Sequence, residues 1–374
     1  MKKSFNVVVA ATFCIVAVPA LAQDSHSLDL TVNHVGVSIG DSRRVTGLRI
    51  NFRDRYLDEM NGVNITVWSP YRDPRGEVHG IAVGLPLTGA RRIDGLAVGI
   101  FGVAADDRIR GISLGGIGMG AGNDIDGIAI GGIGMGVGRD LTGLAIGGIG
   151  MGVGNDLKGI GIGGIGLGVG QDVEGAVIGG IGGGAGGNLV GLAVGGIGVG
   201  VGGSGKGILI GGVGAGVGND FEGLSVAGIG VGVGNQLKGL SIAGVGVGAG
   251  GDVTGVQVAG IGIGAGGTLK YVSIAGIGIG AHRIEGLAIS PGMGAEQTHG
   301  LMIAPIYFKI PRDGRANGVN ISAYNDVRGT QQGLAIGLFN YARHLDGVQV
   351  GILNYAANKK SARLLPLFNY SKDR

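Results

Sequence analysis

One spacing constrains this chain more than any other feature. Glycines opening the pattern Gly-apolar-x-apolar stand at Gly111, Gly127, Gly143, Gly159, Gly175, Gly191, Gly207, Gly223, Gly239 and Gly255. That is nine consecutive steps of 16 residues, and the frame survives once more at Tyr271. A fixed period of this length marks a stacked architecture, in which each unit buries its apolar side on its neighbours.

Within the unit from Gly127 to Thr142, Ile128 and Ile130 flank Ala129, while Ile133, Met135 and Val137 alternate with glycines. Alternation with period two reads as strand. The phase breaks at Gly131-Gly132 and again at Gly138-Arg139-Asp140, so each unit is two short strands joined by two corners. Helix is excluded because glycine at every second position costs up to about 1 kcal/mol per residue there. The expected fold is all-β, a single elongated β-solenoid whose coils stack about 4.8 Å apart. Counting Tyr271 with the opening glycines from Gly47 to Gly347 gives 20 units, hence about 20 short coils and a rod about 95–100 Å long.

The side that faces inward is read from the irregular units. Their x position holds Arg49, Asn64, Asn320 and Gln349, which cannot enter a dry core without partners. The reading therefore points x outward and its flanking Leu, Ile and Val inward. In the second strand, Phe339 and Tyr341 take the apolar slots and Asn340 a glycine slot. Ile, Met and Val then form the inner stacks. Two glycine columns, Gly118, Gly134, Gly150, Gly166 and Gly120, Gly136, Gly152, Gly168, lie outside as a candidate docking face. Strand glycine often marks close approach by another backbone or a ligand.

Residues 1–22 read as a secretory signal peptide: Lys2 and Lys3, an apolar run from Phe5 to Val18, and Ala20-Leu-Ala22 before a cut ahead of Gln23. The one cysteine, Cys14, falls inside it, leaving no disulfide. Export without disulfides suits a bacterial envelope. After cleavage 27 Lys and Arg (29 less Lys2 and Lys3) face 26 acidic residues, so no basic stripe invites nucleic acid. Residues 23–110 form irregular N-terminal capping coils, with Phe52, Tyr56, Trp68 and Phe101. Residues 111–285 are the regular rod, and residues 286–374 the irregular C-terminal coils and cap. Pro305, Pro311 and Asp313-Gly314 suggest an extended corner, a loop leaving the rod, and Leu364 to Tyr370 a closing strand.

The units Gly333-Leu-Ala-Ile-Gly-Leu-Phe-Asn-Tyr-Ala342 and Gly347-Val-Gln-Val-Gly-Ile-Leu-Asn-Tyr-Ala356, with Leu365-Pro-Leu-Phe-Asn-Tyr370, resemble a family of bacterial surface repeat proteins known from leptospires and Bacteroides-type bacteria. The resemblance implies an exported, envelope-associated repeat protein without catalytic residues.

Candidate chemistry is sparse. The corners carry Asn123-Asp124, Asp140, Asn155-Asp156, Asp172, Asn188, Asn219-Asp220, Asn235 and Asp252. Stacked oxygens of this kind suit Ca²⁺, but Asn and Asp are also ordinary turn residues, the preferred reading. Gly-x-Gly-x-x-Gly strings such as Gly159–Gly164 precede no helix, and the column Met119, Met135, Met151 reads as core. His26, His34, His79, His282, His299 and His344 have no metal-ligand spacing. No cofactor, metal or catalytic residue is expected, and no small-molecule substrate is evident.

The favoured function is a non-enzymatic envelope or surface protein, structural, adhesive or self-associating through its flat glycine-rich faces. Envelope lipid and glycan are the other possible partners. A module binding a periodic surface such as ice or a polysaccharide is the alternative, and a glycine-rich outer-membrane β-barrel is a weaker one.

Overall fold

The computed structural model describes residues 26–70 and 75–372. The expected signal peptide, with Cys14, lies outside them. The described residues contain no helix, and parallel coils about 16 residues apart stack into a β-solenoid of about 18 turns. The repeat count gave twenty units; the last of them, from Gly347, meets an antiparallel strand instead of a further coil.

A coil of the regular part is represented by strands Leu141–Gly147 and Gly150–Val153. Each pairs in parallel with its equivalents 16 residues away, so that Leu141 meets Ile125 and Leu157, and Met151 meets Met135 and Leu167. Parallel, in-register pairing is not the antiparallel arrangement of a membrane-spanning barrel, and that alternative is set aside. Strands Ser27–Val32 and Val35–Gly40 form an antiparallel hairpin over the N-terminal edge. Leu364–Ser371 lies antiparallel on the last coil, closing the other. At both ends an antiparallel strand thus replaces a further parallel coil and stops the stack from continuing in register. The segment at Pro311 is no excursion: the Gly314 N–H bonds the Pro311 carbonyl at 3.1 Å in a tight turn between two long strands.

The glycine that sets the period has a steric cause. From Gly111 to Gly255 these residues hold φ between +112° and +144°. A Cβ on any of them would lie 1.9–2.2 Å from the carbonyl oxygen of the glycine one coil earlier. Both conditions reject side chains. At Tyr271 the column admits one by moving φ to +81°, and the ring lies in solvent.

The inward side is the reverse of the sequence expectation in the first strand. The x residues Ala129, Ala145, Val177, Ala193, Leu209, Ser225, Ser241 and Gln257 are at most 1% exposed, while Ile128 and Ile130 point out. In the second strand Met135 and Val137 are buried as expected, but Ile133 is half exposed. Asn340 is fully buried, and Phe339 and Tyr341 face outward.

The reason is interior volume. A Cβ on Gly161 would already sit 2.6 Å from Met151 Cε and 2.7 Å from Leu167 Cδ1, so x admits only what the facing residue leaves room for. Val177 faces Gly183, whose added Cβ would meet Val177 Cγ1 at 3.0 Å. Close packing makes such size exchanges obligatory. Several polar x residues enter with partners. Arg49 donates from Nη1 and Nη2 to Asp54 at 3.0 Å each, and from Nη1 to Asn64 Oδ1 at 3.0 Å. Gln349 donates to Gln331 Oε1 at 3.0 Å. Asn325, Asn340 and Asn354 form a buried ladder with 2.7 Å steps. Gln257 and Asn320 are buried without a protein partner, for which the packing offers no account.

Candidate docking surface

Turning the Leu, Ile and Val columns outward makes the rod's surface apolar. A corner column runs from Ile117 through Ile133, Ile149 and Ile165 to Ile277 at 16-residue steps, and its members are 41–62% exposed. Beside it lie the outward residues of the first strand, among them Ile112, Ile128, Ile160, Ile208 and Leu240 in one column and Leu114, Ile130, Ile210 and Ile242 in the next. Soluble monomers rarely expose contiguous apolar patches above a few hundred Å².

On the other side of the corner column lie the eight glycines singled out from the sequence, all in the outer surface. Around an added Cβ, Gly136, Gly152 and Gly168 have nothing within 4 Å, and Gly134, Gly150 and Gly166 meet only a carbonyl oxygen at 3.6–3.9 Å. Gly118 meets one at 3.6 Å and Gly120 one at 3.1 Å. Unlike the column from Gly111 to Gly255, most of this face is not held to glycine by its own fold. Toward the N-terminal end the chain packs on it: Pro70 Cγ lies 3.2 Å from where Gly89 would carry a Cβ, and Gly89 is in register with Ala104 and Gly120. A groove of about 590 Å³ opens there between Pro70, Leu87, Phe101, Val103 and Met119.

The polar groups occupy the remaining corner. Asp140 Oδ1 accepts the N–H of Asp156, Asp156 that of Asp172, Asp172 that of Asn188, and Asn188 that of Ser204, at 2.6–3.3 Å. Asp220 and Asp252 repeat the contact with Gln236 and Thr268. These oxygens tie coil to coil. Among the described residues no group of three His, Cys, Asp or Glu is placed to hold a metal ion.

Where the ragged coils join the rod, charge is concentrated. Arg92 Nε donates to Asp107 at 2.7 Å, Arg108 Nη2 to Asp124 at 2.7 Å, and Arg139 reaches Asp124 at 3.3 Å. Hydrogen bonds from Asn123 and Arg92 hold the Asp107 carboxyl below its ordinary value. Burial pushes Asp124 up, but the Arg108 hydrogen bond and the Arg139 charge outweigh it and leave it lowered. Carboxyls depressed in the folded state stabilise it above their unfolded pKa, about 3.9, and lose that contribution as pH falls through the folded value. The melting temperature is therefore expected to fall as pH drops below about 4, the unfolded value. Asp107→Asn with Asp124→Asn should flatten the fall in thermal melts across that range.

No family model, curated protein or solved structure matches the chain.

Proposed function

We propose that this protein is a non-enzymatic structural rod of a bacterial envelope that associates with further copies of itself along its apolar side. The observation that carries the reading is the set of unbroken aliphatic columns facing outward from Ile117 to Ile277. Ten coil steps at about 4.8 Å, across a strip about five strand residues wide at about 3.3 Å each, amount to about 800 Å² per copy. That is the area each partner of a stable complex contributes, about 800 Å². A second copy also has the same coil spacing, so its ridges fall in step with these along the whole length. Export, inferred from the signal-like first 22 residues, and the likeness to envelope repeat proteins supply the location.

The test is sedimentation of the chain from Gln23 to Arg374 without detergent. A dimer or a growing series is expected. Ile149→Lys with Ile165→Lys should return it to monomer without lowering the melting temperature, since both side chains are half exposed. Gly134→Arg with Gly166→Arg then maps whether the contact extends onto the glycine columns. A clean elongated monomer at all concentrations would end the self-association reading, and aggregates dispersed only by detergent would transfer the apolar side to a lipid surface.

A further inference from the structure

Toward the C-terminus the two glycine columns change chemistry. The Tyr307 N–H bonds the Pro291 carbonyl, which places Tyr307 beside Gly292, and the column of Gly278 and Gly292 continues as Tyr307, Tyr324 and Phe339. Successive ring centroids are 5.5 and 5.2 Å apart. In the second column Lys309 pairs with Asp326, and Tyr341 and Tyr355 follow, their rings stacked at 5.4 Å with planes 5° apart. A groove of about 540 Å³ opens here, lined by Tyr324, Tyr341, Asp326 and the guanidinium groups of Arg312, Arg328 and Arg343. Arg328 Nε donates to both Asp326 oxygens at 3.0 and 3.3 Å, and the Tyr307 hydroxyl donates to Asp326 at 3.1 Å. Among the described residues, Arg312 and Arg343 are exposed and paired with no carboxylate. Three arginines against one aspartate leave the lining at +2.

We infer that this groove binds an acidic polysaccharide, one whose sugars carry carboxylates. Half-buried tyrosine rings present flat apolar surface with a polar hydroxyl at the edge, the complement of a sugar ring with its C–H face and peripheral hydroxyls. The two unpaired guanidinium forks match carboxylates in bidentate geometry. Asp326 is already engaged by Arg328 and the Tyr307 hydroxyl, and the near balance of basic and acidic residues along the chain offers no basic stripe to a nucleic-acid strand. A polymer leaving the groove meets Gly294, Gly280 and Gly278, around whose Cβ positions there is nothing within 4 Å, so it can lie along the rod without a clash. This site is separate from the aliphatic columns, and its test does not depend on self-association.

The experiment is calorimetric titration of the chain from Gln23 to Arg374 with an oligogalacturonate, a cello-oligosaccharide of equal length and an oligothymidylate. The oligogalacturonate is expected to bind best. Arg343→Ala and Tyr341→Ala should each weaken it about tenfold, the worth of one charge-assisted contact or one stacked ring. Tyr341→Phe, which keeps the ring, should stay within about threefold. Thermal melts of Arg343→Ala and Tyr341→Phe should match the parent, because the arginine is exposed and the phenylalanine keeps the ring stacked on Tyr355. No binding of the oligogalacturonate, equal binding of the neutral oligomer, tighter binding of the oligothymidylate, or an unchanged affinity for Arg343→Ala would each overturn the inference.

Discussion

Gly159→Ala is expected to destabilise the central coils by about 3 kcal/mol or more, whereas Gly168→Ala, nine residues later in the same rod, should be neutral or stabilising by about 0.5 kcal/mol. The two glycines look alike in sequence and differ in what surrounds them. Gly159 has φ +126°, and a Cβ would lie 2.1 Å from the Gly143 carbonyl oxygen, with strands paired on both sides. Alanine there must distort its own coil and push the preceding one. Gly168 has no neighbour within 4 Å of that position. An alanine there restricts the unfolded chain at no cost to the folded one. Denaturant midpoints of the two variants measure the difference. Equal midpoints would mean that the 16-residue period has some origin other than backbone contact between successive coils.

Asp54→Ala should cost about 3–5 kcal/mol, because it strands a buried cation. Arg49 is fully enclosed, and Asp54 is 3% exposed. With Asp54 gone, only Asn64 Oδ1 remains to the guanidinium, whose Nε already lacks a partner. The charge would be relieved only by opening the N-terminal coils. Replacing both members, Arg49→Met with Asp54→Leu, removes the charge together with its counterion and should come within about 1–2 kcal/mol of the parent. Denaturation of the single and double variants separates a buried pair from a surface one. An exposed pair would give less than about 1 kcal/mol for Asp54→Ala and would restore the outward reading of the x column.

That column shows how much of the molecule was legible beforehand. The period, the strands, the corners and the stack follow from spacing alone, since only an in-register solenoid lets one glycine position repeat nine times without a slip. The corner oxygens were likewise readable as turn residues, although their bonds to the next coil's N–H groups were not. The glycines of the candidate docking face lie in the outer surface, the side expected of them. Their neighbours do not lie where expected: the aliphatic columns that carry the proposed association were assigned to the core. Phe339 and Tyr341 were likewise assigned inward, and the structure turns both outward. A signal for the correct side existed. Gly161 with Leu167, Val177 with Gly183 and Leu209 with Ala215 exchange size at a fixed separation, as facing core residues must.

The sequence by itself determined the coil length and the stacking direction, because those depend on local backbone geometry repeated at fixed intervals. Only the tertiary structure decided which side of the first strand is the inside. Alternation puts successive side chains on opposite faces but does not say which face is enclosed. Hydrophobicity favoured Leu144 and Ile146 over Ala145 as core. The closed coil reversed that choice, because Met151 and Leu157 already fill its interior and leave space for little more than a methyl group beside them.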